Sequence, residues 1–234
     1  MPQRPKQPSS YDGPKLTGRG GWRPGSGRPP GPRAWVLHRE RGSVPGHCPV
    51  HVTLRVRPDV PSLRGGAFVR EFRRSLAEAK ERGDFRVAHY ALQHDRLHLI
   101  VEAQGMQALA NGMKSIGARL ARAMNRTSGR SGPVLDGRYH HHLLRTPQEV
   151  RQTLAYVLLA GRREASRARP LDPASSARWF DGFRPEVVSR FPAARGDPEV
   201  AHARTWLLKT GWRRHGLVDP TEVPQVDKDS LPPS

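Results

Sequence analysis

The stretch "LHLIVEA" (97–103) constrains the fold more than any other part of the chain. Side chains alternate across a strand, so Leu97, Leu99 and Val101 form one wholly apolar face. Arg96, His98 and Glu102 fall on the other. A strand of this kind belongs to a sheet with one face in the core and one face polar. "VHVTLRV" (50–56) alternates in the same way and is β-branched. "FRVAHYALQ" (85–93) joins "LHLIVEA" through a short polar turn and predicts a hairpin. "GRYHHHLLR" (137–145) predicts a fourth strand.

Between the strands lie segments of helical period. In "GAFVREFRRSLAEAKERG" (66–83), Phe68, Phe72, Leu76 and Ala79 share a face and Gly83 stops the helix. "MQALANGMKSIGARLARAMNR" (106–126) carries an apolar stripe of Met106, Leu109, Met113, Ile116, Leu120 and Met124. Its other faces carry Lys114, Arg119, Arg122 and Arg126. "TPQEVRQTLAYVLLAGRR" (146–163) begins with Thr146 as cap, Pro147 at the first helical position and Glu149 completing a capping box. The order β-α-β-β-α-β-α predicts an α+β protein. Its expected centre is a ferredoxin-like βαββαβ core with a four-stranded antiparallel sheet and two helices on one face. A further helix bearing Tyr156 and a small Trp-rich C-terminal extension follow. Residues 1–46, rich in Pro, Gly and Arg, are expected to be a disordered leader, since they bury too little apolar surface to offset ordering entropy. The domain expected next spans 47–165, with the extension over 166–215 and a disordered acidic tail over 216–234.

Charge narrows the partner. The 234 residues include 40 Lys+Arg against 21 Asp+Glu, a formal charge of +19. Most of these cations are Arg, whose planar fork pairs bidentately with phosphate, so nucleic acid is the expected partner. A high-GC genome also enriches Arg but does not explain the excess over acids. The single cysteine, Cys48, excludes a disulfide framework and a Cys-based zinc site. No stretch reaches the roughly 20 apolar residues of a membrane helix, and no secretion signal is seen, so a reduced cytoplasmic setting is expected.

Three groups carry candidate chemistry. Arg96 and His98 face the open side of the sheet, where a lone histidine is either a ligand or a surface residue. Tyr156 lies off the apolar stripe of Val150, Leu154, Val157, Leu158 and Gly161, together with Gln152, Ala160 and Arg163. It reads as a nucleophile toward phosphate assisted by nearby cations, or as a ring packed against the sheet. In "RYHHHLLR", His140 and His142 share a face and His141 takes the other; phosphate contact or simple exposure is favoured there over metal binding.

"PVHVTLRV", "HLIVEA", "RYHHHLLRTPQEVRQTLAYVLLAGRR", "LDPASSARWFDGF" and "TWLLKTGWRRHG" together resemble bacterial single-tyrosine transposases of the HUH endonuclease class, and most closely the REP-associated group. The resemblance spans about residues 47–215. It implies the ferredoxin-like core and the cleavage and rejoining of single-stranded DNA hairpins through a 5′-phosphotyrosine link. It also implies a Mg²⁺ or Mn²⁺ ion held by a His-hydrophobic-His pair, a homodimer, and a cytoplasmic, nucleoid-associated setting. Tyr156 matches the nucleophile, His98 the second histidine and Leu97 the middle position. Arg96 stands in the first histidine's place and Ala160 where a third ligand is expected. Arg stays protonated and cannot ligate a cation, Ala has no donor atom, and one imidazole binds Mg²⁺ poorly. Three outcomes follow: DNA binding without metal-dependent cleavage, electrostatic substitution of the cation by Arg96, or ligand replacement by His51 or His94. The basic surface expected to hold DNA comprises Lys114, Arg119, Arg122, Arg126, Arg138 and Arg163. The rival reading is an RNA-binding module that presents bases on the open sheet face, with Tyr90 and Tyr139 as its only strand aromatics.

Overall fold

In the computed structural model the described residues are 43–161, 171–188 and 194–222. Residues 1–42 of the expected leader (1–46), residues 223–234 of the expected tail (216–234) and Arg163 lie outside them; of the described leader residues, Val44 is buried in the core. Among the described residues five strands are present: β1 (Val50–Arg55), β2 (Glu81–Arg82), β3 (Phe85–Leu92), β4 (Arg96–Ala103) and β5 (His140–Leu143). They pair antiparallel in the order β2-β3-β4-β1-β5. The sheet therefore has five strands rather than four. The extra one arises because α1 (Gly66–Ala77) ends six residues before Gly83. Gly83 then adopts φ +53°, which glycine reaches without steric cost, and turns the chain so that Glu81 and Arg82 pair with the start of β3.

Alternation sorts the strands as expected on the helix-covered face. Val50, Val52 and Leu54 of β1 and Leu97, Leu99 and Val101 of β4 are buried in one cluster. Phe68, Phe72 and Leu76 of α1 join it, as do Leu109, Met113, Ile116 and Leu120 of α2 (Met106–Ser128). Each such buried side chain contributes about 1.5–3 kcal/mol relative to exposure.

β3 breaks the simple alternation. Val87 pairs with Val101, but His89 pairs with Ile100, so Ala88 is the extra residue of a bulge. The bulge switches the face of everything after it. Tyr90 and Leu92 therefore join Phe85 and Val87 in the helix-side core, and Tyr90 is fully buried against Phe72. Tyr139 is partly buried against the same core. Neither ring lies free on a sheet face to stack bases.

The opposite face is not open either. Ala88, Ala91 and Ile100 are buried with Val150, Leu154, Val157 and Leu158 of α3 (Pro147–Leu158). Phe180, Phe183, Leu207, Leu208, Trp212 and Val218 complete that second core. Chain expected to be tail from 216 onward packs at least to Glu222: Val218 is fully buried, and Arg151 of α3 donates to both Glu222 carboxylate oxygens at 2.8 Å. The described residues also include two short helices, α4 (Pro185–Val188) and α5 (Trp206–Lys209), and 3-10 turns at Ala177–Trp179 and Gly211–His215.

Buried carboxylates tie these later segments to the sheet. Glu199 accepts from Tyr90 Oη (2.7 Å), Arg178 (2.8 Å) and Trp179 Nε1 (2.5 Å), with Arg73 of α1 3.4 Å away. Burial alone would push this carboxyl up, but the hydrogen bonds from Arg178 and Tyr90 outweigh it and hold the group below the ordinary carboxylate range. Glu199→Ala leaves Tyr90 and two cations without their shared acceptor. It is expected to lower the unfolding free energy by about 3–5 kcal/mol in urea denaturation. Removing the more exposed Glu78, which pairs with Arg119, costs under about 1 kcal/mol.

Candidate nucleic-acid interface

β1 lies between β4 and β5, and its register lines up their polar residues. Thr53 pairs with His98 on one side and His140 on the other; His51 pairs with Ile100 and His142; Arg55 pairs with Arg96. Directly paired residues point the same way. Arg55, Thr53, His51, Arg96, His98, His140 and His142 therefore share the face opposite α1 and α2.

His98 is fully buried and His51 nearly so. His51 Nε2 and Thr53 Oγ1 each lie 3.2 Å from Nδ1 of His98. The two imidazoles stack at 5.4 Å between centroids and 21° between planes. Tyr156 meets both edge-on, at 5.3 Å from His98 and 5.9 Å from His51. Burial pushes the His51 ring down to about 4, with the nearby His142 acting in the same direction, so His51 is neutral at pH 7. His140 and His142 are exposed at the edge of this cluster. At its other end Arg96 donates to Asp95 at 3.0 and 3.2 Å, and Arg55 approaches the same carboxylate at 3.9 Å. The Arg96 hydrogen bonds hold the Asp95 carboxyl below the ordinary carboxylate range.

Tyr156 is delivered by the capped helix. Thr146 accepts from Glu149 N (3.2 Å) and Glu149 Oε2 accepts from Thr146 N (3.2 Å), the capping box expected from the sequence. Helix α3 buries Val150, Leu154, Val157 and Leu158, which leaves Tyr156 half-buried over the histidines. The expected helix to 163 stops early, with Leu159 as its C-terminal cap. Ala160 N donates to Val157 O at 3.4 Å, a tighter turn than α-helical, and Ala160 is fully buried in the second core. Position 160 is thus a packing position beyond the helix end rather than one turn above Tyr156 on a shared exposed face.

These residues do not fit a Mg²⁺ or Mn²⁺ ion. Among the described residues no group of three His, Cys, Asp or Glu is placed to hold a metal. The first position is a guanidinium, position 160 is a methyl group, and the available imidazoles are nitrogen donors where Mg²⁺ requires mainly oxygen. Of the two replacement candidates, His51 touches His98, whereas His94 is exposed in the β3–β4 turn outside the ring cluster.

The basic residues divide between two sides of the molecule. Lys114, Arg119, Arg122 and Arg126 are on α2, across the sheet from Tyr156. Arg119 donates to Ser75 O and Glu78 Oε2 at 3.0 Å, and Arg126 to Glu71 Oε1 at 2.5 Å, so both clasp α1 to α2. Lys114 and Arg122 are exposed, as is Arg138 just before β5. Sequence reasoning did not assign Thr53, Arg55 or the His140/His142 pair to the Tyr156 face. Their shared alternation is visible in the sequence, but it counts only once β1 is known to lie between β4 and β5.

Comparison with solved structures shows a likeness of fold. The structure of a REP-associated tyrosine transposase bound to a REP hairpin superimposes with a TM-score of 0.50 over 71% of this chain and 94% of that one. The sequences are 14% identical over the match. The likeness is one of fold. No protein-family model and no curated protein matches the sequence. Among the described residues no helix is long and apolar enough to cross a membrane.

The neutral His51 makes stability pH-dependent. His89 is also pushed to about 4 by burial. For a histidine held below its ordinary value of 6.5, the unfolded chain binds the proton first. Its stabilising contribution is complete above pH 6.5 and is lost as pH falls toward 4. Each ring contributes a slope of about 1.4 kcal/mol per pH unit within that window. His51→Phe should remove one such share between pH 6.5 and 5 in urea titrations. An unaltered slope would show that His51 is not held neutral.

Proposed function

We propose that this protein binds single-stranded or hairpin DNA with a transposase-like ferredoxin core whose metal site has been replaced by a cationic one, leaving DNA cleavage impaired. The observation that carries the reading is the face built on β1 and β4, where Tyr156 stands over His98 and His51 while Arg96 occupies the adjacent outward position. The strand order β3-β4-β1-β5, with α1 and α2 as the crossovers and β2 added at the edge, supports the ferredoxin-like reading. The fold likeness to a transposase carrying a hairpin and the +19 charge of the chain support the same reading.

Arg96 and Arg55 offer fixed positive charge on the face that carries the tyrosine, and the exposed His140 and His142 add ring N–H donors, which suits the oxygens of a backbone phosphate. Attack by Tyr156 Oη would form a tyrosine–phosphate bond and expel a 3′-hydroxyl. Nothing in the donor set supplies the divalent cation that speeds this step in metal-dependent enzymes. Binding is therefore retained and cleavage is weak or absent. The RNA-binding alternative is not favoured: α3 and the C-terminal segment cover much of the face that would display bases, and Tyr90 is buried.

The full chain is expected to bind a DNA hairpin with an affinity that falls steeply with salt, because phosphate neutralisation releases counterions. It should cleave that hairpin weakly or not at all in Mg²⁺. A salt-independent dissociation constant, or robust cleavage abolished both by EDTA and by Tyr156→Phe, contradicts the proposal.

A further inference from the structure

Trp206 is the one large apolar side chain among the described residues that is left half exposed, at 50%. A loose surface tryptophan would need no explanation, but this one is held. Glu102, a buried carboxylate of β4, accepts from Arg204 N, Thr205 N and Thr205 Oγ1, the last two at 2.7 Å. These bonds fix the chain immediately before the ring. On its inner side the indole lies against Gly211, where an added Cβ would come within 2.7 Å of the ring. On its face the guanidinium of Arg214 stacks 4.9 Å from the ring centroid. Helix α5 and the Gly211–His215 turn both pack on α3, so this stack is borne by the elements that also back Tyr156.

The surroundings are cationic. Lys209, Arg213 and Arg214 follow Trp206 within eight residues. Arg213 is paired with Asp181 at 2.9 Å. Lys209 and Arg214 have no acidic partner among the described residues. A fixed, half-exposed indole with a stacked guanidinium in a basic surround is the combination with which proteins take unpaired bases: the π-face accepts any base and the cations track the backbone.

We infer that Trp206 and Arg214 form a stacking platform for an unpaired nucleobase in the single-stranded DNA flanking a hairpin. This rests on the DNA-binding reading above and extends it to a second contact. Charge complementarity selects the occupant: an apolar protein partner gains nothing from leaving Arg214 and Lys209 without acids.

The test compares two DNA hairpins of identical stem and loop, one blunt and one with a short unpaired thymidine extension, by fluorescence anisotropy with the full-length chain. The wild type is expected to bind the extended hairpin about tenfold more tightly, the scale of one base–aromatic stack. Trp206→Ala should bring the extended hairpin to the affinity of the blunt one, while Trp206→Phe keeps most of the difference. Arg214→Ala should reduce the salt slope by about one for the extended hairpin only. Thermal unfolding of each variant should match the wild type. If the wild type binds neither hairpin, the DNA-binding reading fails and this inference with it. If it binds both equally, or if Trp206→Ala retains the discrimination, the platform alone is overturned. A change in sedimentation on Trp206→Ala with unchanged DNA binding also overturns it, because the surface then serves self-association.

Discussion

The register of β1 between β4 and β5 is the constraint on which the rest depends. With Thr53 opposite both His98 and His140, seven polar or cationic side chains fall on one face, and Val50, Val52 and Leu54 fall on the other. A slip of one residue would exchange the two faces entirely. The apolar face has two amphipathic helices to bury it, so the register is strongly determined. The histidine face is thus a by-product of how the core must pack, and α3 needs only to cover its inner part to bring Tyr156 onto it.

That covering explains how buried imidazoles coexist with a basic surface. Ile100, Ala91 and Ala88 give α3 and the C-terminal segment an apolar seat, and His98 and His51 lie at its margin. The paired rings are tolerated there because His98 Nδ1 has both His51 Nε2 and Thr53 Oγ1 as polar neighbours at 3.2 Å. Burial keeps His51 neutral, which suits packing and not cation repulsion. Charge is instead placed at the periphery, on Arg55 and Arg96, with the exposed His140 and His142 on the same face. The face therefore has a neutral His51 close to the tyrosine ring and guanidinium charge at its margin.

Much of this was legible in the sequence. Leu97, Leu99 and Val101 announced the core face, the Thr146–Pro147–Glu149 cap announced α3, and Tyr156 stood apart from the stripe that packs. What could not be read depended on long-range or strained geometry. The bulge at Ala88 reverses the facing of Tyr90, and no alternation pattern signals it. The end of α3 at Leu158 comes from the tight turn at Ala160, whose burial is set by residues remote in the sequence. The closure of the second sheet face by Phe180, Leu208, Trp212 and Val218 likewise depends on a segment with little period of its own. The α2 cations looked equivalent from the helical pattern, yet Arg119 and Arg126 are spent on Glu78 and Glu71.

The proposed role of Arg96 is to serve the phosphate with a guanidinium where a metal ion would otherwise do so. The most direct measurement is hairpin affinity for the wild type and Arg96→Ala, each in Mg²⁺ and in EDTA at constant ionic strength. The account predicts that the wild type binds equally in both, and that Arg96→Ala weakens binding several-fold in both. Wild-type affinity that collapses in EDTA, together with an Arg96→Ala variant that binds as well as the wild type, would contradict it.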